Sequence, residues 1–199
     1  MRKILELLQE NHLFLKAEKC EFKHQEIEYL GLIISKNKVA MDPVKVKGIN
    51  DWLVPQKVKE VQSFLCFINF YCCFIKDFSH IAHPLYTLTH KAVEWKWGDL
   101  QQKAFEALKH AITTAPVLVF PSDKGKFRIE ADASNFATGA VLSQLQGDEK
   151  HPVGFMSKSL TDVKRNYEIH DKEMLAIIQA PRRVEALPQR GTREGRHLD

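Results

Sequence analysis

The sequence predicts an α+β chain in which a hairpin and a helical region precede a truncated mixed β-sheet covered by one helix. Three observations lead there. Val61, Phe64, Leu65, Ile68, Tyr71 and Ile75 recur at helical spacing within the stretch from Glu60 to Phe78. Lys126 to Ala133 instead alternates Phe127, Ile129 and Ala131 with Arg128, Glu130 and Asp132, the period of a strand. From there the order is strand, strand, strand, helix, which begins a sheet with a covering helix.

Residues 3–15 place Ile4, Leu7, Leu8, Phe14 and Leu15 on one face of an amphipathic helix that is already under way at the first residue. Glu28 to Ser35 is rich in β-formers, Lys36-Asn37-Lys38 is a turn, and Val39-Ala40-Met41 is a return strand. Asp42-Pro43 starts a helix, with Asp42 as N-cap and Pro43 in the first helical position, and the helix runs to about Trp52. Leu53-Val54-Pro55 ends it. The helix of residues 60–78 is widened by Phe67, Phe70 and Phe74, an aromatic surface suited to more than one neighbour. Leu85 to His90 is a short helix or turn, and Leu100 to Thr114 is a helix on Phe105, Leu108 and Ile112. After Pro116 come strands at 117–120, 126–133, 140–145 and 153–157. A helix follows from Asn166 to about Ala180, where Pro181 is expected to stop it.

The chain has 199 residues, 44% apolar and 27% charged, the composition of a globular chain of one or two domains. No apolar run approaches the roughly 20 residues that a membrane-spanning helix needs. The N-terminus is broken by Glu6, Gln9 and Glu10 and does not read as a secretory signal, so a cytosolic or nuclear location is expected. Cys20, Cys66, Cys72 and Cys73 form no C-x-x-C pair and are expected to be reduced thiols. His80, His83 and His90 lack a partner at ligand spacing and read as surface histidines rather than a metal site. The net charge of +4 is too mild to mark a nucleic-acid binder on its own. Residues 181–199 carry five arginines against three acids, with no periodicity, the pattern of a disordered tail.

Four blocks carry a resemblance: EYLGLIIS with MDPVKV; VQSFLCFINFYCCFIKDFS with HPL; FEALKHAITTAPVLVFP; and FRIEADASNFATGAVLSQ with HPVGFMSKSL and NYEIHDKEMLAII. In this order they resemble gypsy-type LTR-retrotransposon Pol polyproteins over residues 1 to about 180. The resemblance implies four parts. Residues 1–41 are the end of the reverse transcriptase palm with a primer-grip-like hairpin, and 42–115 the thumb and connection helices. Residues 116–180 are a partial RNase H-like domain, and 181–199 an aberrant tail. The implied partners are an RNA–DNA hybrid or template–primer duplex and other segments of the polyprotein.

Tyr29, Gly31, Cys66, Asn69, Tyr71, Cys72, Cys73 and Lys76 are the nucleic-acid-binding positions the resemblance implies. A helix that tracks a duplex needs small residues at the groove and cations near phosphates. The family has glycine at the position of Cys66 and arginine at those of Cys72 and Cys73, so weaker duplex binding is expected here. The polymerase motif of an aromatic residue, a variable residue and two aspartates does not occur, and the chain alone is expected to have no polymerase activity.

RNase H chemistry uses about four carboxylates around two Mg²⁺ ions roughly 3.5–4 Å apart. Asp132 matches the family's first carboxylate and Glu173 the second, and these two are the implied catalytic and metal-ligating residues. The remaining two have no counterpart, so nuclease activity is not expected. Glu130 shares a strand face with Asp132 and reads as part of a solvated face; Asp171 is no substitute either. After Ala180 the family continues its helix with a sequence like LEEWRHYL. One synonymous codon choice for PRRVEALPQR, read from its second base, encodes LEEWRHYL, so a one-base frameshift at Pro181 is expected and the genomic DNA decides it.

Overall fold

The computed structural model describes residues 2–184 except 21, 23, 123, 124 and 148. Helix α1 (Arg2–Glu10) opens the chain. It stops short of Leu15 because His12 turns left-handed (φ 55°) and the Leu13 N–H bonds back to the Leu8 carbonyl at 2.8 Å, closing the last turn.

The run Glu28–Ser35, expected as one strand, is two. Strands β1 (Glu26–Tyr29) and β2 (Leu32–Ser35) pair antiparallel around Leu30 and Gly31, both at positive φ. That pair of angles makes the tight turn favoured between twisted strands. Strand β3 (Lys38–Met41) returns along β2, and α2 (Pro43–Asn50) follows with Asp42 capping it: its Oδ1 accepts the Val44 N–H at 2.8 Å. The helix ends at Asn50, as the sequence implied to within two residues.

Helix α3 (Val58–Phe70) also ends early; a 3-10 turn (Cys72–Phe74) and a left-handed Asp77 (φ 56°) lead into α4 (Phe78–Leu88). One uninterrupted helix would distribute its aromatic residues around several faces. The break turns Phe74, Ile75 and Phe78 into the core that also holds Val61, Phe64, Leu65, Ile68 and Tyr71. Pro84 lies inside α4, which therefore begins well before the expected Leu85. Buried Ala82, Leu85 and Leu88 hold the helix despite the one backbone bond that Pro84 cannot donate.

Helix α5 (Asp99–Thr113) completes the helical layer with Ala104, Phe105, Leu108 and Ile112 inward. Phe64 sits at its centre, 4.6 Å from the Phe105 ring and 5.6 Å from Trp52. Strand β4 (Leu118–Val119), expected to open the second part, pairs with β3 and completes the first sheet in the order β1-β2-β3-β4.

Strands β5 (Phe127–Ala133), β6 (Ala137–Gln146) and β7 (Glu149–Ser159) form the second sheet in that order. The α+β class holds. Among the described residues, however, this sheet is antiparallel rather than mixed, because short connections join each strand to the next. A short helix α6 (Asp162–Arg165) leads to α7 (Ile169–Val184), which packs on β5 and β6. Helix α7 runs one turn past Pro181 where a stop was expected. Buried Ala176 and Ala180 anchor it, and Pro181 removes only the bond that would reach back to Ile177. The expected tail from 185 onward lies outside the described residues. Among the described residues no helix is long and apolar enough to cross a membrane.

Candidate nucleic-acid interface and carboxylate face

Gly31 and Tyr71, forty residues apart, meet. The Tyr71 hydroxyl donates to the Gly31 carbonyl at 3.3 Å, and the Asp42 N–H donates to the same oxygen at 3.1 Å. Gly31 is buried at φ 77°, and a Cβ there would stand 2.6 Å from the Tyr71 hydroxyl and 3.4 Å from Cγ of Lys45. Only glycine meets both demands. Burial first, and then the Asp42 charge, raise the Tyr71 hydroxyl above the ordinary tyrosine value, so it remains a donor. Tyr71 is 3% exposed; it fixes the turn from inside the core and does not face solvent.

The turn so held presents Tyr29, 58% exposed, and Leu30, 68% exposed, at the surface. Phe70, at the end of α3, packs edge-on against Tyr71 and is half exposed. Cys66, Asn69, Cys73 and Lys76 are also exposed. Cys72 is half-buried and packs against the helical core. The eight positions therefore divide into a buried clamp of Gly31 and Tyr71, the half-buried Cys72, and the exposed Tyr29, Cys66, Asn69, Cys73 and Lys76. Glu60 belongs to the scaffold: it accepts the Gln56 N–H at 2.7 Å and sits 3.4 Å from the Lys57 ammonium. That backbone bond is the main cause of its lowered pKa, and it anchors the start of α3.

Asp132 and the helix that carries Glu173 lie on different faces of the second sheet. Thr138 donates its hydroxyl to Gln179 of α7 at 3.1 Å, so α7 covers the face that Thr138 shares with its partner Ala133. The next residue, Gly139, pairs with Asp132 and with Ser157, and the Ser157 hydroxyl accepts the Ser79 N–H of α4 at 2.8 Å. Strand alternation then puts Asp132 on the α4 side and α7, which carries Glu173, on the other. Both carboxylates are exposed, and Asp132 Oδ1 accepts the Ala133 N–H at 2.8 Å.

Asp132 instead lines a cavity of about 180 Å³ with Asp77, His80, Ser134, Gly139 and Ser157. Asp77 presses on bare Gly139, where a Cβ would stand 2.6 Å from its Oδ1. The sequence reading missed Asp77. The signal was Gly139 itself, a glycine inside a strand pattern, which marks a close approach. Glu130 is engaged by Lys150 at 2.7 Å and Arg128 at 3.1 Å, and the Lys150 bond is the main cause of its lowered pKa. His83, read as a surface histidine, is half-buried and stacked on Phe136 with ring centroids 4.5 Å apart. Burial lowers its pKa, with the Arg165, His80 and His90 charges acting the same way. Among the described residues no three His, Cys, Asp or Glu side chains come together as a metal site.

Comparison with known proteins gives this geometry its setting. Residues 97–189 match the RNase H-like domain found in reverse transcriptase. The Transposon Tf2-3 and Tf2-4 polyproteins of Schizosaccharomyces pombe are each 35% identical to this chain over 181 residues, 90% of the chain. The chain spans 14% of the length of each. Two solved structures share the fold, each with a TM-score of 0.72 at 21% identity over 93% of this chain. One is the foamy viral protease-reverse transcriptase with an RNA/DNA hybrid, of which 25% is covered; the other is its dRH form with ds DNA, of which 33% is covered. The chain belongs to the gypsy-type LTR-retrotransposon Pol polyproteins and carries the RNase H-like domain found in reverse transcriptase.

Proposed function

We propose that this segment holds a template–primer duplex or RNA–DNA hybrid through its first sheet and α3, and does not cleave it. The observation that carries the reading is the clamp of Tyr71 on Gly31. It fixes a tight turn beside α3 and leaves Tyr29, Leu30 and Phe70 at the surface; Asn69 and Lys76 are exposed as well, Lys76 within charge range of Glu130 on the second sheet. Exposed aromatic and amide groups suit a sugar–phosphate backbone, with exposed cations of the chain supplying a salt-dependent affinity. The foamy viral relatives of the same fold are complexes with ds DNA and with RNA/DNA hybrid. Other segments of the polyprotein would supply the polymerase palm, and the setting would be the cytosol or nucleus. The proposed division keeps a palm-end hairpin, thumb-like helices and an RNase H-like sheet, with β4 counted in the first part because it pairs with β3.

The second half of the proposal, that the RNase H-like sheet does not cleave, rests on the placement of its carboxylates. Asp132 turns to the α4 side while α7, which carries Glu173, packs on the other face, and Glu130 is engaged by Lys150 and Arg128. The test is fluorescence anisotropy of a labelled RNA–DNA hybrid against the purified chain over a salt series, with Mg²⁺-dependent cleavage followed in parallel. Binding that weakens steeply with salt, without cleavage, is expected. Absence of binding refutes the first half of the proposal. Cleavage that disappears in Asp132→Asn refutes the second.

A further inference from the structure

We propose that His83 and Phe136 form a latch that closes the second sheet onto α4 while the His83 ring is neutral and opens when the ring takes up a proton. The latch does not depend on the nucleic-acid reading, and both of its halves lie within the described residues. Three contacts at and along the start of α4 hold the sheet. The Asp77 carboxylate stands against bare Gly139, where a Cβ would lie 2.6 Å from its Oδ1. The Ser79 N–H donates to the Ser157 hydroxyl at 2.8 Å. One turn further on, the His83 ring stacks on Phe136, with centroids 4.5 Å apart and planes 22° from parallel. His80 lies 6.2 Å from the same ring and is tilted to it. Phe136 cannot follow a departing partner, because its turn is stiff. Ser134 Oγ accepts the Phe136 and Ala137 N–H groups at 3.3 and 3.1 Å, and the Leu160 N–H donates to the Phe136 carbonyl at 2.8 Å.

The surroundings of His83 favour the neutral ring. It is half-buried, so a charge there loses much of its water. Arg165 of α6 adds a fixed positive charge, and His80 and His90, before and after it in the sequence, add theirs when protonated. Arg165 is only partly compensated. Its Nη1 meets Asp162 at 3.1 Å, while its Nε is buried without a hydrogen-bond partner among the described residues. The carboxylates at this boundary, Asp77 and Asp132, line the small cavity with His80 rather than with His83. An imidazolium would gain some attraction to the face of Phe136. Burial, and after it the Arg165 charge, oppose that gain, and His83 titrates below its ordinary 6.5 in the closed form. Between 6.5 and the closed-form value, acidification therefore favours the open form, in which the ring is hydrated and away from Arg165. Strand β7 also packs on the 3-10 turn and on β4, so the opening is confined to the α4 end of the junction.

One amide reads the latch directly. Ser79 is in the first turn of α4, where an N–H has no acceptor within its own helix, so the Ser157 hydroxyl is what protects it. The test is hydrogen exchange of the isotope-labelled chain, resolved by NMR and corrected for the intrinsic effect of pH, from neutrality into mild acid. Ser79 is expected to be protected near neutrality. Its protection should fall below pH 6.5 by up to about tenfold per pH unit, the limit for one proton, and level off once the closed-form value is passed. The amides of Leu108 and Ile112, inside α5, are expected to stay protected throughout. His83→Phe keeps an aromatic ring without a titrating group and should hold Ser79 protected across the whole range. His83→Gln should lose the stack and the pH dependence together, so that Ser79 exchanges faster even at neutrality. His80→Gln should leave the pH dependence in place. The proposal is overturned if Ser79 is unprotected at neutrality or if its protection does not change on acidification. It is overturned equally if the change survives His83→Phe, if it vanishes in His80→Gln, or if Leu108 and Ile112 lose protection in step with Ser79, which is global unfolding.

Discussion

Replacing Gly31 with alanine strains the molecule in two separable ways. An L-residue held at φ 77° costs about 1–2 kcal/mol of backbone strain. The new Cβ would also stand 2.6 Å from the Tyr71 hydroxyl, too close for either group to stay. The hydroxyl must swing off the Gly31 carbonyl, which keeps only the Asp42 N–H, so about 1 kcal/mol of hydrogen bonding goes as well. Gly31→Ala is therefore expected to lower the unfolding free energy by about 2–3 kcal/mol, read from urea denaturation by tryptophan fluorescence. Tyr71→Phe alone removes only the hydrogen bond and should cost about 1 kcal/mol. A phenyl ring at 71 leaves room for the alanine methyl, so the double variant should cost less than the sum of the two single ones. A Gly31→Ala effect below about 0.5 kcal/mol, within the range of an ordinary surface change, or strict additivity with Tyr71→Phe, would refute the clamp.

Gly139→Ala is expected to cost about 1–3 kcal/mol, because the added methyl meets the Asp77 carboxylate from α4, and Gly139→Ala/Asp77→Ala should recover part of it; equal losses in the two would contradict the contact. His83 titrates lower in the folded chain than its ordinary 6.5, since burial and the Arg165 charge favour the neutral ring. The stability tied to it is thus complete above 6.5 and drains away as pH falls toward the folded value, so the urea midpoint should fall on acidification, and less so in His83→Gln. Cys73→Arg returns a cation to an exposed position and should steepen the salt dependence of hybrid binding by up to about 0.9 in log–log slope. Cys72→Arg should instead lose stability, because that position is half-buried against the core.

How much of this was readable from the residues follows the range of the forces involved. The Asp42-Pro43 helix start was legible because capping is local: a side chain two residues from the N–H it accepts decides the boundary. The strand alternation of Phe127–Ala133 was legible for the same reason. The break between α3 and α4 was not, because nothing near Tyr71 demands it; it arises from the common need of Phe64, Phe74 and Phe78 for one core. The split at Leu30-Gly31 is intermediate. Gly31 announces a turn, but what holds the turn is Tyr71, which only the tertiary structure brings there. Proline misled at Pro181, and α4 likewise runs through Pro84: in both helices buried neighbours outweigh one missing bond.

The candidate site has the same limit. A motif names Asp132 and Glu173 as a pair, yet a pair of ligands is a statement about distance and face. Strand parity gives the face of Asp132 alone: Thr138 turns to α7, so Asp132, opposite Gly139, turns to α4. That side is shared with Asp77 and His80 at the start of α4 and with Ser157 of β7. The carboxylate that resembles a catalytic residue thus lies where the RNase H-like sheet docks on the helices before it.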